Sequence, residues 1–180
     1  MSVDLNIWIG EASELEQWKD APLGLLTAYI VEVYHREGRI EMARLETQVE
    51  EAALLEGRDC PELLKLRDEV EQFCTELRAH FKVEERSVFP AILDLAEGRT
   101  TSVSQTLLDP VRLLKEEHHS AAGLLDRIHS LTAGFNPPGD ARGGQRRLFQ
   151  SFQILADSLC KHIYLENEIL FKRLQMLSQG

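Results

Sequence analysis

The chain has 180 residues, with 30 Asp+Glu against 20 Lys+Arg and a formal net charge of -10, so it lacks the basic stripe that a phosphate-backbone binder needs. Hydrophobic residues make up 43%, enough for the core of one ordinary domain, yet no run of about 18 apolar residues exists that could span a bilayer. Asp4 and the absence of a basic n-region argue against a secretory signal, and three cysteines outside any CxxC pair fit a reducing, cytoplasmic setting better than a disulfide framework.

In chain order, residues 1–18, with Trp8 and Trp18, read as an N-terminal arm or short extra packing element, and residues 19–178 as one domain. Asp20-Ala21-Pro22 opens the first long helix, with Asp20 as its cap and Leu26, Ile30, Val33, Ile40, Leu45 and Val49 as its apolar stripe. That pattern fades at Glu56-Gly57. Asp59-Cys60-Pro61 opens the second helix, whose stripe runs from Leu63 through Phe81 to Ile92 and stops near Gly98, with Pro90 expected to kink its last turns. Arg99 to Thr106 is a polar loop. Asp109-Pro110 opens the third helix, which carries Val111, Leu114, Leu125, Ile128 and Leu131 and ends before Asn136-Pro137-Pro138-Gly139. The fourth starts near Gly144 and carries Leu148, Phe152, Leu155, Leu159, Ile163 and Leu170. A Glu-, Leu- and Ala-rich composition with no credible strand predicts an all-α, antiparallel up-down four-helix bundle.

The two halves of this bundle repeat. The second helix contains His80-Phe81-Lys82-Val83-Glu84 and the fourth His162-Ile163-Tyr164-Leu165-Glu166, each followed by a polar residue and then by apolar positions ending in Phe89 or Phe171. Upstream, His35 precedes His80 by 45 residues and His118 precedes His162 by 44. Each helix pair therefore supplies one lone histidine and one HxxxE. Residues i and i+4 share a helix face, so His80 points with Glu84 and His162 with Glu166. Up-down alternation brings four imidazoles and two carboxylates to one level of the bundle axis. Buried together, they need a partner, and a metal is the simplest one. A lone histidine on an apolar face is ordinarily a satisfied core residue, and a single HxxxE arises by chance. The matched repetition of both carries the reading.

Imidazole and carboxylate together suit a transition metal rather than calcium or magnesium, and six ligands exceed what a tetrahedral structural zinc uses. If Glu84 and Glu166 bridge two metals about 3.5–4 Å apart, each metal receives two histidines and two carboxylate oxygens. With an oxo or hydroxo bridge, a pair of iron ions would keep positions open for a small ligand. Manganese and zinc suit the same donors.

These motifs also carry a resemblance. Trp18-Lys19-Asp20-Ala21-Pro22-Leu23, Tyr34-His35, Glu76-Leu77-Arg78-Ala79-His80 running into Glu84-Glu85 and Val88-Phe89-Pro90, Glu117-His118, Ala122-Gly123, the Leu131-Thr132 to Pro137-Pro138 turn, and His162 to Phe171 cover roughly residues 17–176. In these the sequence resembles the hemerythrin-like (HHE cation-binding) proteins and, within that group, is similar to the repair of iron centres family. The resemblance implies His35, His80, His118 and His162 as terminal ligands of a di-iron site, with Glu84 and Glu166 bridging. It implies Glu76 and Glu117 near the site and its access path, Glu76 being placed to steer His80 or relay protons.

The implied role is recovery of damaged iron–sulfur proteins under nitrosative and oxidative stress, by iron release or by reaction with NO or O2. The alternative is an O2- or NO-binding or sensing protein without turnover. Damaged iron–sulfur proteins and diatomic ligands are the implied partners; the acidic balance and the lack of a long apolar run leave out nucleic acid and membrane, and the oligomeric state is open, a dimer included. Longer family members carry an N-terminal domain with paired cysteines, whereas the residues before Trp18 hold none. Glu56 stands where many relatives have a histidine and His119 where they have an acid; Glu56 is expected to be peripheral and His119 to point away from His118. His129 reads as packing or channel lining. Cys74 and Cys160 should face away from the site, and Cys60 sits beside a turn.

Overall fold

A computed structural model describes residues 13–139, 141 and 143–179, so Trp8 and most of the expected N-terminal arm lie outside the described residues. Among these, all regular structure is helical. The order is α1 (Ser13–Glu16), α2 (Leu23–Tyr29) running through a π-helical turn (Ile30–His35) into α3 (Arg36–Glu56), then α4 (Glu62–Val83) with a second π turn (Glu84–Val88) into α5 (Phe89–Ala96). Next come α6 (Gln105–Leu131) and α7 (Gly143–Tyr164), which passes through a third π turn (Leu165–Leu170) into α8 (Phe171–Leu177). The result is an all-helical bundle. No helix among the described residues is long and apolar enough to cross a membrane.

Ion pairs between the long helices record how they lie against each other. Along α3, Arg39 pairs with Glu85, Glu46 with Arg78 and Glu50 with Arg67. Across α4 and α6, His80 pairs with Glu117 and Glu69 with Arg127. His35 meets His162, while Glu56 at the other end of α3 accepts a hydrogen bond from Gln145 of α7.

The core is divided in two. One apolar cluster includes Met42, Leu45, Leu66, Val70, Phe73, Leu77, Phe81, Phe152, Leu159 and Ile163. The other includes Leu15, Leu26, Ile30, Phe89, Ile92, Leu114, Ile169, Leu170 and Phe171. Between them lies a polar layer of buried His35, His80, Glu84, His118, His162 and Glu166. Each fully buried Leu or Phe of the flanking clusters contributes roughly 1.5–3 kcal/mol, and these clusters clamp the polar layer in place. From the N-terminal segment, Leu15 joins the second cluster and Trp18 packs against it.

Several expected boundaries move. The first long helix starts at Leu23 with Pro22 as its cap residue, and Asp20 makes no cap. Ile40 is not on the buried stripe but 53% exposed, and Val33 is only half-buried. The π turn explains both. It winds more than 3.6 residues into a turn, so the buried face of α3 continues as Gly38, Met42, Leu45, Val49 and Ala52. The third helix begins at Gln105 rather than Asp109, leaving Pro110 inside it. Ser104 is extended, and its carbonyl accepts from Leu107 and Leu108. Burial of Leu107 holds this first turn on the bundle, which outweighs the hydrogen bond that Pro110 cannot donate. The expected kink at Pro90 becomes the π turn just before it, with Pro90 in the first turn of α5 where its missing N–H costs little.

Candidate metal centre

Three of the six site residues come from π turns. His35 ends the first, Glu84 opens the second and Glu166 lies in the third. A π turn rotates a side chain away from its α-helical bearing, and such turns are frequent at functional sites. His80 and His162 lie in the α-helical turns just before the second and third, and His118 lies in α6, which has no π turn.

The six expected residues meet in one layer. They form two groups, His35, Glu84, His162 and Glu166, and His80, Glu84, His118 and Glu166, each with one ligand atom per residue and all such atoms within 4.8 Å. Both carboxylates belong to both groups. Glu84 Oε2 lies 3.3 Å from His35 Nε2 and its Oε1 3.4 Å from His80 Nε2. Glu166 Oε1 lies 2.9 Å from His162 Nε2 and its Oε2 3.1 Å from His118 Nε2. Both glutamates are fully buried, and none of their four oxygens has a hydrogen-bond partner.

The outer faces of three rings are tied down. His35 Nδ1 donates to Glu85 at 2.8 Å, His80 Nδ1 to Glu117 at 2.8 Å and His118 Nδ1 to Asn167 Oδ1 at 3.0 Å. When these rings are neutral, the bonds place the proton on Nδ1 and each Nε2 turns a lone pair inward. The inward nitrogens face each other, His80 to His118 at 2.9 Å and His35 to His162 at 3.2 Å. Lone pairs and anionic oxygens so arranged repel unless a cation or protons lie among them. The donor set therefore fits a metal, with nitrogen and carboxylate oxygen in proportions that transition metals prefer.

Without metal, protons respond to the same crowding. Burial pushes the His35 imidazole down, but the carboxylates of Glu84, Glu166 and Glu85 outweigh it and hold it above its ordinary value. His80 behaves likewise and rises to about 9, with Glu117 adding to Glu84 and Glu166. Burial wins at His162, which falls. Burial alone would raise Glu166, yet His162 and His118 hold it well below the carboxylate range.

The repeat extends to the outer partners. Glu85 follows Glu84 and binds His35; Asn167 follows Glu166 and binds His118. Both stood in the motif as the polar residue after HxxxE, but their targets lie on other helices, and the sequence named no role for them. Arg39 donates to Glu85 at 2.8 Å and fixes that carboxylate in turn.

Of the two acids placed near the site by resemblance, Glu117 reaches His80. Glu76 does not; it is exposed and accepts a hydrogen bond from Gln72 at 2.8 Å. Both line a cavity of about 340 Å³ between α4 and α6 that reaches His80 and His118, with Leu77, Val83 and Leu159 as apolar walls. His119 is exposed, and Glu56 lies at the far end of α3, bonded by Gln145. His129 packs against Phe135, ring centroids 4.9 Å apart. Cys74 and Cys160 are buried outside both groups, and burial pushes each thiol up to about 12.

Comparison with known proteins agrees with this architecture. The family model described as the hemerythrin HHE cation binding domain matches residues 27–174. The iron-sulfur cluster repair protein YtfE of Edwardsiella ictaluri is 32% identical over 96% of this chain and 78% of its own length. The iron-sulfur cluster repair protein DnrN of Neisseria gonorrhoeae is 30% identical over 89% of this chain and 97% of its own. ScdA of Staphylococcus haemolyticus, of the same description, is 28% identical over 95% of this chain and 79% of its own. With a polar layer of histidine and glutamate at its centre and a family match over most of its length, the chain belongs to the hemerythrin HHE cation-binding domain family.

Proposed function

We propose that this chain is a non-haem di-iron protein of the iron–sulfur cluster repair type, acting in the cytoplasm under nitrosative and oxidative stress. In this reading the long helices form an antiparallel up-down bundle. The ion-pair series supports this: partners on α4 and the π turn that follows it descend in number as those on α3 and α6 ascend. The single observation that carries the metal assignment is the four carboxylate oxygens of Glu84 and Glu166, buried, without hydrogen-bond donors, and each turned to a different histidine. His35 and His162 would hold one iron, His80 and His118 the other, and Glu84 and Glu166 would bridge them.

Bound iron supplies one-electron redox chemistry and coordination positions for a small ligand such as NO or O2. The protein's own residues do the rest. Glu85, Glu117 and Asn167 hold three rings in the tautomer that presents Nε2 inward. The two apolar clusters keep bulk water from the layer. The cavity between α4 and α6 gives a small ligand a way in, or an iron a way out, past the half-exposed Glu117. The even division of four histidines favours a reactive or labile centre over reversible O2 carriage, because it would leave a position on both metals.

Iron reconstitution followed by metal analysis tests the site, with two ions per chain expected. A reproducible value near one refutes the bridged pair. Transfer to an apo iron–sulfur protein, faster than to a chelator alone, tests the repair role. A reversible, oxygen-dependent visible spectrum without iron loss would instead mark the binding or sensing alternative.

A further inference from the structure

The repeat is broken at one position, and the break concerns redox chemistry. The residue before each lone histidine contacts a histidine of the other half. Glu117, before His118, binds His80; Tyr34, before His35, stacks on His162 with ring centroids 6.0 Å apart at 15°. From Tyr34 the contacts continue outward. Tyr29 lies edge-on to it at 5.7 Å, and Trp18 stacks on Tyr29 at 4.1 Å and 24°. Tyr34 is buried, whereas Tyr29 and Trp18 are part-exposed.

The other site histidines have only phenylalanine among their non-histidine ring neighbours, and Phe81 also lies edge-on to His162 at 5.4 Å. His35 stacks on Phe81 at 4.1 Å and Phe89 at 5.7 Å, His118 on Phe171 at 6.3 Å, and His80 lies 6.2 Å from Phe81. Phenylalanine is not oxidised by species that oxidise tyrosine and tryptophan. Among the described residues, three of the site histidines therefore meet only inert phenylalanine rings besides one another, and His162 alone also meets an oxidisable one, Tyr34.

We propose that Tyr34, Tyr29 and Trp18 form a relay that carries oxidising equivalents from the metal layer, through His162, to the protein surface. The proposal rests on the di-iron reading above. Its substrate class is a hydroperoxide, which accepts two electrons and two protons. Where one ferrous iron supplies only one electron, Tyr34 supplies the second together with its phenolic proton, and one further proton comes from solvent. Hydrogen peroxide then leaves as two waters, with one ferric iron and a Tyr34 phenoxyl. Tyr29 returns a hydrogen atom to Tyr34, and Trp18 returns one to Tyr29 from its indole N–H, whose nitrogen has no hydrogen-bond acceptor. A thiol in solution restores Trp18 and is itself oxidised by one electron. Ring contact at each step matters because electronic coupling falls steeply with gap, and the buried Phe81, Phe89 and Phe171 offer no competing sink.

The test uses the whole chain, loaded with iron, with metal content and visible spectrum recorded first. It is treated with hydrogen peroxide without thiol, and oxidised residues are mapped by peptide mass spectrometry. Oxidation concentrated on Trp18 in the iron-loaded protein, about tenfold above the metal-free protein, is expected. Tyr29→Phe and Tyr34→Phe, which keep ring and packing, should lower it severalfold at wild-type iron content, and Trp18→Phe should move the lesion inward to Tyr29. Added thiol should suppress it. Equal Trp18 oxidation without metal, or unchanged oxidation in both tyrosine variants with Trp18→Phe leaving Tyr29 intact, overturns the relay alone. A protein that takes up no iron overturns the metal reading and the relay with it.

Discussion

His80 and His118 bring their Nε2 atoms to 2.9 Å, each ring held from behind by an acceptor, Glu117 for one and Asn167 for the other. In neutral rings the hydrogen bonds at Nδ1 place the proton on the outer nitrogen, so lone pair meets lone pair in the middle unless a proton or a cation lies between them. Helix packing holds this geometry, which fits an ion between the rings. His35 and His162 face each other in the same way at 3.2 Å. Removing or weakening any part of this arrangement has consequences that can be measured.

The shared carboxylates carry the greatest load. Each lies in both histidine groups, so in the proposed bridged pair Glu84→Ala or Glu166→Ala would take a donor from both metals at once. Iron content after reconstitution should fall well below wild type, by more than the roughly 10–100-fold affinity loss typical of an outer partner. Unchanged metal content in both variants would refute the bridging assignment.

The outer acceptors should separate cleanly. Glu117→Ala frees Nδ1 of His80 and is expected to weaken iron binding roughly 10–100-fold, with Glu117→Gln restoring part of it by keeping an acceptor. Glu76→Ala should leave affinity near wild type, because Glu76 bonds Gln72 and not His80. Competition with a chelator of known affinity measures both, and equal losses in the two alanine variants would contradict the geometry.

Asn167 gives a signed test of the same principle. Asn167→Asp keeps the acceptor for His118 Nδ1 and makes the ring a stronger donor to metal, so affinity should hold or rise. Asn167→Leu should lower it about as much as Glu117→Ala. Iron titrations of both variants decide the order.

The metal-free protein should show its own pH dependence. His80 titrates at about 9 when folded, above the roughly 6.5 of an unstructured histidine, because Glu84, Glu166 and Glu117 outweigh its burial. Its protonated form therefore adds stability that is complete below about pH 6.5 and is lost as pH climbs through about 9. Metal binding must displace that proton, so apparent affinity should rise across the same window, by about tenfold per pH unit for one proton. Thermal melts and metal titrations at pH 6, 7.5 and 9 (about these values) check both trends. Metal-free melting that climbs over this range would contradict the His80 assignment.

Phe81 joins the apolar core to the site. It is 2% exposed, stacks on His35 at 4.1 Å and lies beneath the Arg39 guanidinium at 5.4 Å. Phe81→Ala should cost about 3–5 kcal/mol by chemical denaturation and leave His35 free to turn, lowering metal content as well. A loss of stability with full metal content would show that Glu85 alone is enough to orient His35.

Much of the candidate site was legible because its spacing is local. His80 with Glu84 and His162 with Glu166 lie one helical turn apart, so the chain itself fixes their common direction. The repetition of that spacing, with His35 and His118 upstream, identified the set. Glu85 and Asn167 were visible as polar residues in the repeat, yet their partners His35 and His118 sit 50 and 49 residues away. Nothing local says which ring they meet. The π turns were equally hidden, since an i→i+5 turn leaves no distinctive residue type, and they displaced Ile40 from the stripe on which simple periodicity placed it.

The sequence by itself determined the helical class and the six polar residues of the central layer, because helix periodicity and i,i+4 geometry are properties of a single segment. Tertiary structure alone decided the division of the histidines into His35 with His162 and His80 with His118, and the span of each carboxylate across both pairs. It also decided that Glu117 rather than Glu76 backs His80, and that Tyr34 faces His162 where the repeat offers a carboxylate on the other side. These depend on the rotation and axial offset of one helix against another, which are set by the packing of the two apolar clusters above and below the layer and by no residue near the site alone.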